Sequence, residues 1–291
     1  MRRSQAIEAL RIWAAFMIVW FHSNIPGHDL AYSGLIVFLS LTAFFEFGPN
    51  RNRPAQPGRI LTQLIVPWLF WFVIFAAINL ARGREIFPFG DNAVEKLLTG
   101  PSPHLWYVPW AAAALLALPM VKPLPDDWLA YGLAAAAGVM MTAVPTWRPW
   151  SIEAGPPLSQ YLHSIPALLL GGLLGLSFSS PVARFLYVVP VVALVAGPAF
   201  RFTGVGITYV IGLSMVLLAL MIERFWPPRL NLDSVSQCML GVYFCHPLFL
   251  TAARPLIDRA PLPGVVAAFV LSVAFVYAIR RIVPGLATLT T

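Results

Sequence analysis

The stretch Ile7-Glu8-Ala9-Leu10-Arg11-Ile12-Trp13-Ala14-Ala15-Phe16-Met17-Ile18-Val19-Trp20-Phe21-His22-Ser23 decides how the chain is read. It is apolar except at Glu8, Arg11, His22 and its final serine, and it is just long enough to cross a bilayer as a helix. Backbone groups in hydrocarbon find no water, so an apolar run of this length must close its hydrogen bonds internally. Nine further apolar segments, each bounded by proline, glycine or charge, follow outward from it. They are Leu30–Phe47, Ile60–Leu80, His104–Val121, Trp128–Val144, Tyr161–Phe178, Val182–Ala199, Gly204–Ile222, Ser234–Ala252 and Leu262–Ile279. The expected fold class is an all-α integral membrane protein. It is read as one transmembrane domain over residues 1–291, with about ten transmembrane helices.

Composition agrees with this reading. Hydrophobic residues make up 59% of the chain and charged residues 11%, with a mean hydropathy of +0.76. Soluble domains carry about 25% charged residues, so an ordinary soluble protein, a coiled coil and a disordered chain are all excluded. The formal charge of +7 would suit nucleic acid, but the cations lie in short connections between apolar runs. That is the signature of membrane topology, and no nucleic-acid partner is expected. A cytoplasmic N-terminus puts eleven Lys and Arg residues inside against seven outside, with Arg51, Arg53 and Arg59 as the strongest inside cluster. Both termini are therefore expected in the cytoplasm. Glu8 and Arg11 interrupt the first run, which reads as a retained span and not a cleaved leader. The longest connection, Ala81 to Pro103, is either a partial cover or a plain surface loop. Cys238 and Cys245 stand about 10 Å apart along one helix, too far for a disulfide, and no metal site is expected.

Titratable groups inside a bilayer cost about 2.5–3.5 kcal/mol each on insertion scales and mark function by default. The first span carries two, Arg11 and His22. Eleven residues are close to three helical turns, so both project from one face, about 16 Å apart along the axis. A permanent cation and an imidazole so placed suit a long ligand, anionic at one end and reactive at the other. The alternatives are a snorkelling Arg11, or one paired with Glu8 or Glu46, and an interfacial His22. With this topology His104, His163 and His246 also fall in the outer half, where imidazole would serve proton transfer. Trp106, Tyr107 and Trp110 beside His104 read either as a sugar-stacking platform or as an interfacial aromatic belt.

The run from Ile7 to Ala15, continuing to His22, resembles the first span of acyltransferase family 3, whose hallmark is an Arg, ten residues and a His. Arg59-Ile60-Leu61 with Ile65-Val66-Pro67-Trp68-Leu69 is similar to the basic connection into that family's third span. Pro103-His104-Leu105-Trp106-Tyr107-Val108 resembles the opening of its fourth span. Ser236-Gln237 through Gly241-Val242-Tyr243-Phe244-Cys245-His246-Pro247 resembles a late span in which a Tyr precedes a His. Where the family shows a Ser-Gly-aromatic stretch, this chain reads Ser40-Leu41-Thr42-Ala43-Phe44.

The resemblance implies a polytopic membrane O-acyltransferase. Its donor would be acyl-CoA, often acetyl-CoA, and its acceptor a hydroxyl of a sugar or envelope polysaccharide. His22 would act as general base or take the acyl group itself. Arg11, Arg51, Arg53 and Arg59 would attract the donor's phosphates, and His104, Trp106, Tyr107 and His246 would line the acceptor side. The partners are then the lipid bilayer, acyl-CoA and a glycan, and the expected location is a bacterial inner membrane. The competing classes are a transporter or flippase, for which no paired halves are visible, and a catalytically inactive family member.

Overall fold

The computed structural model describes residues 4–90, 92–196, 206–227 and 230–290, and among them there are helices and no strands. In chain order the helices are α1 (Gln5–Ser23), α2 (His28–Ala31), α3 (Ser33–Phe47), α4 (Pro57–Ile60), α5 (Val66–Ala81) and α6 (Ala93–Thr99). Then come α7 (Tyr107–Val121), α8 (Asp126–Thr142), α9 (Val144–Glu153), α10 (Leu158–Leu176), α11 (Pro181–Ala196) and α12 (Ile207–Ile222). The last are α13 (Asp233–Ser236), α14 (Met239–Ala252), α15 (Arg254–Arg259), α16 (Pro261–Ile282) and α17 (Pro284–Thr290). A wide π turn, Leu61–Ile65, leads from α4 into α5, and a short 3-10 turn, Glu223–Phe225, closes α12.

Each of the ten expected apolar segments holds a helix, and among the described residues five or six stretches qualify as spans. Five helical stretches are long and apolar enough to cross a membrane: Gln5–Ser23, His28–Phe47, Pro57–Ala81, Ile207–Phe225 and Pro261–Ile282. A sixth qualifies if α8 and α9, bent by 71° at Ala143, count together. Helices α7 and α14 are apolar but shorter, and α10 has the length but opens on Ser159, Gln160, His163 and Ser164. Large apolar side chains remain on outer faces, among them Val73 at 63% and Phe185 at 70% exposure, as lipid contact requires. Arg2, Arg3, Arg201 and Arg229 of the charge count, and the segment ends at Ala199 and Gly204, lie outside the described residues.

The chain divides into two compact units. The first comprises Met1–Phe38, Val66–Trp71 and Ile211–Thr291. Its α1 begins where the Ser4 hydroxyl accepts from the Ile7 amide at 3.3 Å and donates to Glu223 at 2.7 Å. Glu223 also accepts from the Ala6 amide, so one carboxylate serves donors that the first helical turn leaves without a partner. Gln5 adds bonds to Asp233 and to the Leu232 amide. These ties fix α1 against α13, and with it the spans α14 and α16 that pack on α1. Phe16 meets Phe269 of α16 edge to face at 5.4 Å, and Trp71 stacks on Phe244 of α14.

The second unit comprises Leu39–Ile65 and Phe72–Val210. Helix α10 lies at its centre and packs on α3, α8 and α11. A Cβ added at Gly175 would meet the Phe44 carbonyl oxygen at 2.6 Å and the Gly48 nitrogen at 2.9 Å, and one at Gly171 would meet the Ser40 backbone. The two glycines, four residues apart, form a seam that lets the backbones of α3 and α10 touch. The close-packing glycine missing from Ser40–Phe44 is thus supplied from the opposite helix. Below the seam, Arg51 joins the α3 end to α8 through Asp126 at 2.6 Å and the carbonyls of Leu124 and Lys122. Lys122 in turn pairs with Glu46 at 2.6 Å. The connection from Ala81 to Pro103 is ordered by α6, capped by Asn92, and by Asn79, whose side chain donates to the Pro101 carbonyl at 2.8 Å.

Candidate active site

In the first unit, α1 presents Arg11 and His22 as the spacing requires. Arg11 pairs with Glu8 one turn earlier, its Nη1 lying 3.1 and 3.3 Å from the two carboxylate oxygens. Glu46 is engaged by Lys122, so of the two expected partners Glu8 is the one that braces Arg11. Glu8 is 3% exposed, and its Oε2 also accepts a hydrogen bond from the Ser236 hydroxyl of α13. A buried carboxylate held from two sides fixes the guanidinium stem, while 34% of the Arg11 side chain stays accessible. This cation is therefore immobile yet open to an anion.

At the other end of α1, the His22 ring lies 5.0 Å from the His246 ring, tilted by 39°. His246 is fully buried on α14, and its Nδ1 is 2.7 Å from the Tyr243 carbonyl oxygen. A carbonyl only accepts, so Nδ1 carries the proton and Nε2 of the neutral ring carries a lone pair. The structure thus joins His22 to only one of the three later histidines within this unit. Adjacent imidazoles from α1 and α14 can accept a proton and return it, while the braced cation three turns away on α1 can bind an anion.

The second unit holds the remaining expected residues. His104 is 2% exposed, its Nδ1 is 2.9 Å from the Ser102 hydroxyl, and its ring meets Phe75 edge to face. Trp106 and Tyr107 lie beside it at the head of α7, and the Tyr107 hydroxyl is hydrogen-bonded to Thr42. Tyr161 of α10 joins this group, 5.9 Å from Trp106 and stacked on Trp110 at 4.7 Å. The Trp110 Nε1, and the Oε1 of Gln160 next to Tyr161 in sequence, are buried without a hydrogen-bond partner. His163 lies apart from that cluster, against Tyr209, whose hydroxyl donates to the His163 carbonyl. Arg59 is exposed, with Nε donating to Gln63 at 2.8 Å, and Arg53 is exposed in the α3–α4 connection. Arg51 differs from these two, because its guanidinium is occupied by the Asp126 clamp.

A family model described as an acyltransferase domain matches residues 4–281. The chain belongs to acyltransferase family 3. The match spans both units and includes every candidate site residue. No curated protein and no solved structure matches this family member. Spacing pointed to Arg11 and His22. Ser236 stood in the late-span resemblance, but its pairing with this acyltransferase's Glu8, and the stacking of Tyr161 on Trp110, had no local signal. Ser236 lies 228 residues from Glu8, and such pairings appear only once the chain is folded.

Proposed function

We propose that this protein is a membrane-bound O-acyltransferase that moves an acyl group, most simply acetyl, from acyl-CoA to a hydroxyl of a sugar or envelope polysaccharide. The observation that carries the reading is on α1, where Arg11 is braced by Glu8 and His22 lies against His246. His22 serves as general base on the acceptor hydroxyl. As the O–H bond breaks, oxygen attacks the thioester carbon, the C–S bond breaks, and the proton passes from His22 to the departing sulfur. Arg11 holds an anionic part of the donor, and the exposed Arg53 and Arg59 draw its phosphates from the cytoplasm. Arg51 contributes to the same basic surface through its clamp, by holding the connection that carries Arg53. His104, Trp106 and Tyr107 serve the acceptor, and His246 acts on the reaction through its contact with His22. The protein resides in a bacterial inner membrane with its N-terminus in the cytoplasm.

The test is transfer by purified protein in detergent, with labelled acetyl-CoA and a panel of oligosaccharides. Label on a glycan, lost in a folded His22→Ala protein, is the expected result. A wild-type protein that neither binds nor consumes acyl-CoA overturns the reading.

A further inference from the structure

Helix α14 carries Pro247 in its interior, directly after His246. In a helix the amide of residue 247 would donate to the carbonyl of residue 243, and proline has no amide hydrogen. The Tyr243 carbonyl is therefore left without its helical donor. It is the atom that His246 Nδ1 reaches at 2.7 Å, from one turn along the same helix. The proline creates the acceptor and the histidine satisfies it. Because Nδ1 holds the proton, the lone pair of the neutral His246 ring is confined to Nε2.

The position of His22 makes this consequential. The His22 ring lies against the His246 ring, their centres 5.0 Å apart and their planes tilted by 39°. We propose that Pro247, the Tyr243 carbonyl and His246 form a tautomer lock, and that the locked His246 is a positioning residue for His22. When His22 takes the proton of the acceptor hydroxyl it becomes an imidazolium, and its second N–H is donated to His246 Nε2. The proton taken from the hydroxyl then goes to the thiolate released from the donor, so His246 is neutral before and after. This deepens the role given to His22 above and rests on it, whereas the lock stands on α14 alone.

Two measurements separate the lock from the chemistry it serves. Side-chain nitrogen NMR of the purified protein labelled at histidine, without donor or acceptor, reads the tautomer directly, with His246→Ala assigning the signal. The wild type should show a protonated Nδ1 and an unprotonated Nε2 at His246. Pro247→Ala returns an amide to Tyr243 and should give mixed tautomers. The opposite tautomer in the wild type, or an unchanged His246 in Pro247→Ala, overturns the lock. In the transfer assay, Pro247→Ala and His246→Ala should each lower kcat about 10–100-fold with the KM for acetyl-CoA unchanged. The double variant should lose no more than His246→Ala alone, since Pro247 acts through His246. Full additivity, or two fully active single variants, overturns the positioning role while leaving the transferase reading intact. If Pro247→Ala does not fold, Pro247→Gly supplies the same amide and takes its place.

Discussion

Glu8 shows at a single residue how the site is built. Its carboxylate is buried, accepts from Ser236 and holds Arg11, so removing its charge weakens the brace on the guanidinium and the bond to the Ser236 hydroxyl together. Glu8→Gln should cost about 1–3 kcal/mol of stability and raise the KM for acetyl-CoA more than it lowers kcat, because Arg11 loses its fixed position. Thermal unfolding in detergent and steady-state kinetics check both halves. Ser236→Ala should follow in the same direction with a smaller effect. His22→Ala, by contrast, should abolish transfer at unchanged melting temperature, and a protein that melts early would assign His22 to packing. Arg11 and His22 were legible because helical period alone places them on one face. Glu8 was legible as one of two candidate partners for Arg11, but the choice between them and the Ser236 brace behind Glu8 were not, since a serine more than two hundred residues away is placed there only by folding.

Individual helices obey the apolar pattern closely, and departures have identifiable causes. Each expected segment holds a helix among its described residues, because hydrocarbon admits little else. Helix α9 was unreadable as an element: Val144-Pro145-Thr146-Trp147-Arg148-Pro149 looks like a connection, yet Pro145 fits the first turn of a helix begun afresh after the bend, and Pro149 is carried inside that helix. Among the described residues five or six stretches have the length and apolarity of full spans, because prolines, glycines and polar openings shorten or dilute other helices. The seam between α3 and α10 is the most sensitive of these contacts. Gly175→Leu would drive a side chain into the Phe44 carbonyl and should destabilise the protein by about 1–3 kcal/mol or more, read as a lower melting temperature. Gly132→Ala, where nothing lies within reach of an added Cβ, is the matched control and should be neutral or mildly stabilising.

For the whole molecule the open physical question is orientation, which charge distribution addresses more directly than packing. Both cysteines are buried, so a cysteine introduced elsewhere reports without background. With the N-terminus in the cytoplasm, Arg53→Cys should react with an impermeant thiol reagent only in inverted vesicles, and Arg84→Cys only in intact cells. The reverse pattern would invert the topology and, with it, the side from which the donor approaches. Composition alone made the membrane class legible, since so few charges cannot cover a soluble surface. The division into two units was not legible, because the first is assembled from both ends of the chain and one short internal segment.

Pro247 matters for an atom it lacks, and this sets how tolerant the position can be. At an ordinary buried site, a substitution profile follows size and polarity. At 247, every other amino acid brings the same amide hydrogen to the Tyr243 carbonyl, whatever its side chain. A saturation library at this position should therefore show one shared functional loss across small, large, polar and apolar replacements, with stability varying independently of it. Such a site offers evolution no gradual path between proline and anything else.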